Sequence, residues 1–540
     1  MAAGMYAVRH ESSGATGDFD RALALWSHIV NDTAAPLTSR LDAAEAACGL
    51  AIRGARWAQA LDFAARCLTL LAIDLPTRGH LSIGPDHLER YAEVAYDGAA
   101  CALMLGSAER AVELLEQARS SQWSRLLDLR TDLSRLQQAA PELAERLTLI
   151  RAQLDAPTGQ DDDWPSDTGH ELSREWERTI AAVRAIPGFS SFLAPWSFAD
   201  LAAASAGGPV VIVNVSRVRS DALIIEHQGV RVVPLPAADP ETIATLVADY
   251  AMSHDVAGRN SRRLLLSSTT DLLARLWHSI VGPVLEHVRG HNPARLWWCP
   301  TRTLAGLPLH AARGADGNAL EMVCSSYTPS LRVLVEARAK AAGGASGPSS
   351  PERTLIIADP RPGPVPLGRL PGAHREAAIV QQSTRDSTLL TGREATRGTV
   401  LALLPEHRWM HFAGHCLADP SHPAGSGLVL ADGLLTVAEL ARLRRPPAGL
   451  AFLSACFSGS SGFASRDEAW SPAVALHIAG FRDVIGAANV VPDLQAARLA
   501  ERFYRQLATG VHPAQALNLA LRLCDRRELP LVVSFFHIGP

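Results

Sequence analysis

The chain has 540 residues, 47% of them hydrophobic and 20% charged, with a formal net charge of -4. That length exceeds one ordinary hydrophobic core, so roughly two to four domains are expected. The small net charge gives no electrostatic ground for nucleic acid or an anionic membrane surface as the main partner.

The opening MAAGMYAVRHESSG lacks the basic segment and apolar run of a signal peptide, and no uninterrupted apolar stretch approaches the roughly eighteen residues of a membrane span. A cytoplasmic protein without membrane association is expected. The eight cysteines (Cys48, Cys67, Cys101, Cys299, Cys324, Cys416, Cys456, Cys524) show no CxxC spacing, which argues against a zinc site or a disulfide framework.

From about Phe19 to Leu154 the apolar spacing is helical throughout. Two stretches pair small and large residues in the manner of tetratricopeptide helix hairpins: one carries Ala47, Gly54, Trp57, Ala60 and Ala65, the other Tyr91, Ala99, Ala102, Gly106, Ala111 and Ala118. Small residues let paired helices approach closely, and large ones fill the groove between repeats. An ordinary helical bundle is the competing reading. The acidic, Pro- and Gly-bearing stretch DAPTGQDDDWPSDTG then marks a domain boundary.

Residues 207–236 read as β-structure, with an apolar run, an alternating run and turn residues between. The helix DLLARLWHSIVGPVLEHV, the strand ARLWWCP and the stretch VCSSYTPSLRVLVEARAKAA continue an α/β pattern, in which Trp297 and Trp298 are core residues. A low-complexity linker over residues 342–353 precedes a second α/β unit. There RTLIIADP, RWMHFAGH, AGLAFLSAC and DVIGAAN are expected strands, alternating with helices that include one from about Leu435 to Arg444. Such alternation implies a mostly parallel sheet covered on both faces.

Two of these strands end in reactive residues, WMHFAGH at His415 and AGLAFLSAC at Cys456. Neighbouring parallel strands lie roughly 5 Å apart, so both side chains emerge together at the carboxyl edge of the sheet, where open α/β folds bind ligands. A free cysteine is mostly thiol at neutral pH, its unperturbed pKa being roughly 8.5, and an adjacent imidazole takes up its proton. Backbone N–H groups of Cys416 and Cys456, in the turns GHCLADP and ACFSGSSG, can hold the oxyanion of an acyl-transfer intermediate. Taken alone, a cysteine ending a buried strand is more often packing than nucleophile.

Other residues stand lower. His411 shares strand parity with His415 and is expected to pack or hydrogen-bond beneath the site, while His407 and His422 lie in loops. Asp419, Asp432 and Asp467 are available to orient an imidazole, although turns collect aspartate for their own reasons. Ser454, Asp467 and Glu468 are candidates for lining the substrate pocket, the last two equally readable as a solvated loop. SGSSG is no nucleophile elbow, and neither a Walker A sequence, HExxH nor a dinucleotide fingerprint is present.

HFAGH (411–415), GSGLVLADGLLTVAELARL (425–443) and LAFLSACFSGSS (450–461) resemble the core motifs of the CHAT domain, a caspase- and separase-like peptidase module. LAGLPLHAA, VCSSYTPSLRVL, LPGAHREAAIV and LLTGREATRGTVLALL resemble further parts of it, so the likeness runs in order over roughly residues 185–540. The resemblance implies a helical tetratricopeptide-like region at 1–170, a non-catalytic caspase-like half at 185–345 and a catalytic half at 352–540. It makes His415 the base and Cys456 the nucleophile. Family members usually carry glycine directly after the catalytic histidine, where this chain has Cys416, which puts full activity in question and opens a redox link between Cys416 and Cys456.

The expected function is a regulated cysteine endopeptidase acting on a protein substrate, with a regulatory protein partner on the helical repeats. The resemblance extends this to bacterial antiviral defence or programmed cell death, through cleavage of a gasdermin-like effector. No metal or organic cofactor is needed for that chemistry. A catalytically inactive scaffold of the same fold and a repeat-led interaction adaptor are the alternatives.

Overall fold

A computed structural model of the chain describes residues 2–13, 16–74, 85–119, 136–154, 175–176, 178–189, 192–255, 261–288, 295–343, 353–361, 367–419, 423–443, 448–459 and 471–540. The whole acidic boundary stretch and most of the low-complexity linker lie outside them. So do His422, Asp467 and Glu468. The chain divides into two compact units, Met1–Leu201 with Ser216–Val218, and Ala202–Val215 with Arg219–Pro540.

The first unit is helical: α1 (Ala2–Ser13), α2 (Thr16–Asn31), α3 (Leu37–Arg53), α4 (Trp57–Asp74), α5 (Pro85–Met104), α6 (Ala108–Arg119) and α7 (Pro141–Leu154). The turns joining α3 to α4 and α5 to α6 fall at Gly54 and Gly106. Ala47, Ala60, Cys48 and Cys67 are buried with Leu41, Leu50 and Phe63 in one core, so the small residues sit where the helices meet. Gly98 has Ala64 Cβ only 2.6 Å from where its own Cβ would stand, a helix contact that any side chain would force apart.

The second unit is built on an eleven-stranded sheet with the order β3-β2-β1-β4-β5-β14-β13-β12-β8-β6-β7. The strands are β1 (Val210–Asn214), β2 (Asp221–Glu226), β3 (Gly229–Pro234), β4 (Arg295–Pro300), β5 (Cys324–Tyr327), β6 (Arg353–Pro360), β7 (Asp386–Gly392), β8 (Trp409–Ala413), β12 (Ala448–Ser454), β13 (Phe481–Ala487) and β14 (Phe535–Ile538). Residues Thr354–Pro360 of β6 are buried without interruption, as an interior parallel strand requires, whereas edge strands β3 and β7 are only partly covered. Trp297 and Trp298 are fully buried in β4.

Pairing is parallel from β7 through β6, β8 and β12 to β13 and again from β1 through β4 and β5 to β14, but β14 runs antiparallel to β13. This last strand therefore joins the two α/β segments into one sheet. A second sheet, β9 (Cys416–Leu417), β10 (Gly427–Leu430) and β11 (Gly433–Thr436), occupies much of the connection between β8 and β12. The expected helix there is correspondingly shorter, Val437–Arg442, and is capped by Thr436, whose hydroxyl accepts from Glu439 N–H while the Glu439 carboxylate accepts from Thr436 N–H.

His310 and His477 are buried in this unit. His310 Nε2 donates to the Val532 carbonyl and His477 Nδ1 to that of Phe481, both at 2.9 Å. Burial lowers both imidazoles to about 4. The unfolded chain binds these protons near pH 6.5, so the stability they contribute is complete above that pH and falls as the solution is acidified toward 4, by roughly 1.4 kcal/mol per pH unit for each group. Urea unfolding at several pH values across that interval should show the decline, and constant stability would contradict neutral buried imidazoles.

Candidate active site

Strands β8 and β12 pair in parallel with Ala413 opposite Ser454, and His415 and Cys456 each follow two residues beyond that last pair. Gly414 N–H donates to the Ser454 carbonyl at 3.3 Å, carrying the pairing one step further. A Cβ at Gly414 would stand 2.7 Å from the Phe412 ring and 3.1 Å from Pro360 Cδ, so the approach to His415 requires glycine. The His415 carbonyl then accepts from Val429 N–H at 2.9 Å, which starts the small sheet. His415 thus sits where the chain leaves one sheet for the other.

The turn after Cys456 is fixed from below. Ser458 Oγ accepts from Ala487 N–H at 3.0 Å, and Gly459 N–H donates to the Ala487 carbonyl at 2.9 Å. Phe457, directly after Cys456, has φ +55°, a left-handed conformation costly for a bulky residue. Across the sheet, Asp359 at the end of β6 has φ +45° and lies at an irregularity in the β6–β7 register. Its buried carboxylate faces His374 at 3.3 Å and Arg361 at 3.7 Å. Strained residues at the ends of β12 and β6, the two strands that flank β8, mark this edge of the sheet as more than packing.

Cys456 Sγ accepts from Val491 N–H at 3.3 Å. Burial pushes its thiol up, and the Val491 and Cys456 N–H groups oppose that shift. The partly exposed His415 places Nε2 2.9 Å from the Gly368 carbonyl. A carbonyl only accepts, so Nε2 carries the proton and Nδ1 the lone pair of the neutral ring. Among the described residues no hydrogen bond joins this imidazole to the thiol.

Cys416 lies in β9 with its buried sulfur 3.9 Å from the Phe457 carbonyl. Burial, and then the neighbouring Cys456, push its thiol up to about 12. Its φ is not positive, so a side chain in the place of the usual glycine brings no left-handed strain. Ser454 is buried, and its hydroxyl donates to Glu376 Oε2 at 3.0 Å, turned inward beneath the strand ends. His411 is fully buried against Glu376 and Tyr504, and His407 is held by the Leu403 carbonyl and Thr388. Asp432 accepts from Arg397 N–H at 2.7 Å, and Asp419 N–H donates to Ser426. Gly368, Val491 and Glu376 were not singled out by sequence reasoning. Two of them act through backbone groups, which leave no side-chain signal, and Glu376 stands out only as an acid on a helix face otherwise lined with alanine and valine.

Among the described residues one His/Asp cluster has metal-like spacing: Asp483, His512 and His537. Asp483 Oδ1 lies 3.3 Å from His512 Nε2 and 3.0 Å from His537 Nε2, and Arg482 Nε donates to Oδ2 at 2.7 Å. His512 Nδ1, however, accepts from Ala514 N–H at 3.2 Å as a helix cap. Its Nε2 therefore carries the proton and has no lone pair for a metal. The cluster is a hydrogen-bonded carboxylate beneath the sheet, at the edge opposite His415 and Cys456. Stoichiometric zinc should leave the melting temperature unchanged, while Asp483→Asn, which breaks a buried charge network, should cost about 3 kcal/mol in a denaturant titration.

The second unit is a mostly parallel α/β sheet with a thiol and an imidazole beyond the ends of adjacent strands. Residues 270–528, just under half of the chain, match the family model of the CHAT domain. No curated protein matches the sequence. Among solved structures, separase in the Saccharomyces cerevisiae separase–securin complex is similar at 11% identity and a TM-score of 0.46, over 98% of this chain and 48% of that one. The chain thus spans about half of that protein's length. The Arg-specific cysteine proteinase gingipain R is similar at 12% identity and a TM-score of 0.36, over 48% of this chain and 67% of that one.

Proposed function

We propose that this protein is a cysteine endopeptidase in which Cys456 is the nucleophile and His415 the general base. The observation that supports the reading is the strand register, which leaves a thiol and an imidazole each two residues beyond the same strand pair. His415 Nδ1 takes the Cys456 proton, and the thiolate adds to a peptide carbonyl. Backbone N–H groups of Cys416 and Cys456 receive the oxyanion. On collapse the imidazolium gives its proton to the leaving amine, and water, activated by the same ring, hydrolyses the thioester. The Gly368 carbonyl holds the Nε2 proton throughout, the part an aspartate plays in a triad.

The three-part division at 1–170, 185–345 and 352–540 belongs to this proposal, as does a tetratricopeptide-like role for the helix hairpins, which would take a regulatory protein partner. A cytoplasmic location and a defence or cell-death role through one dedicated substrate complete it. No helix among the described residues is long and apolar enough to cross a membrane.

A second reading, a scaffold without catalysis, draws on a thiol that burial keeps protonated and an imidazole hydrogen-bonded elsewhere. Proteome-wide mapping of new N-termini after exposure to wild-type and Cys456→Ala protein separates the two. Cleavage should appear with wild type alone, and His415→Ala should be slower by roughly a hundred- to ten-thousandfold. Identical profiles from wild type and Cys456→Ala support the scaffold.

A further inference from the structure

Beneath the strand ends lies a group of buried polar side chains that the mechanism above leaves unused. Glu376, on the helix Pro371–Ser383, is 1% exposed. Its Oε2 accepts from Ser454 Oγ at 3.0 Å, and its Oε1 lies 3.1 Å from His411 Nε2. His411 Nδ1 meets the Tyr504 hydroxyl at 3.0 Å. Burial, and then the charge of Glu376, hold the Tyr504 phenol well above its usual range, so it stays protonated.

The geometry brings one acid to both catalytic strands. Ser454 is two residues before Cys456 on β12, and His411 is four before His415 on β8. The segment that enters the helix of Glu376 also contains Gly368, whose carbonyl holds the His415 ring. A carboxylate buried this deeply with a single well-formed hydrogen bond is a poor way to stabilise a core, since an apolar residue of similar volume would serve as well or better.

Resting on the peptidase reading, we propose that Glu376 is a positioning residue, setting the separation and alignment of His415 and Cys456 through Ser454 and His411. The test compares two reagents at Cys456 of the full chain. A peptidyl acyloxymethyl ketone requires thiol and imidazole aligned about a bound carbonyl, whereas iodoacetamide requires the thiolate alone. Glu376→Leu should slow labelling by the ketone at least thirtyfold while changing the iodoacetamide rate less than threefold, with the melting temperature held or raised. Glu376→Gln, which keeps an oxygen for Ser454, should recover labelling to within fivefold of wild type, and Ser454→Ala should fall between.

Should Glu376→Leu label at wild-type rates, the inference is overturned and the peptidase reading stands. It is equally overturned when ketone labelling, iodoacetamide labelling and melting temperature decline together in the Leu and Gln variants, because that pattern is general loosening of the core. Wild-type protein whose Cys456 takes iodoacetamide but never the ketone overturns the peptidase reading and this inference with it.

Discussion

Everything at the candidate site follows from the parallel pairing of β8 with β12. Parallel strands direct their carboxyl ends to the same edge, and pairing through Ala413 and Ser454 leaves His415 and Cys456 the same number of residues beyond it. A slip of one residue would turn one of the two chains' side chains to the opposite face. The register is defended by buried apolar side chains on both faces of each strand, among them Phe412 and Phe452, and by Gly414, where no side chain fits. The energy that fixes the site is therefore core packing, most of it remote from the reacting groups.

On this frame the two side chains rest against backbone rather than against each other. Val491 N–H holds the sulfur and the Gly368 carbonyl holds the ring. Hydrogen bonds of catalytic groups often align only when substrate arrives, so an unjoined pair at rest is compatible with catalysis. The Val491 N–H opposes the desolvation that raises the Cys456 thiol, so a shift of that segment alters how readily the thiolate forms.

How much of this was legible in the sequence depended on where each element lies. RTLIIADP is apolar on both faces because β6 is paired on both sides and covered above and below, and the segment read as a strand coincides with the one observed. Trp297 and Trp298 were read as core for the same reason. The small sheet was missed because β9 has two residues and β10 and β11 four each, too short for periodicity to register. Strand β14 was missed because its four residues FFHI gain their meaning from two partners far away in sequence, β13 and β5. The positions of His415 and Cys456 were legible because chemistry attaches to residue types. The groups that hold them were not, since a carbonyl and an N–H occur at nearly every residue.

Cys416 shows how residue type and conformation must be weighed separately. A glycine after a site histidine suggests a backbone that only glycine adopts, and a cysteine there suggests strain or loss of function. Cys416 instead lies in an extended strand paired through Leu428, so no positive φ is demanded of it. Its side chain turns into the interior, where burial and the nearby Cys456 hold the thiol protonated at neutral pH. A thiol in that state neither competes as nucleophile nor repels the forming thiolate. What the position offers an oxyanion is its N–H, which glycine and cysteine possess alike, so the substitution alters the packing beneath the site and leaves the proposed backbone donor in place.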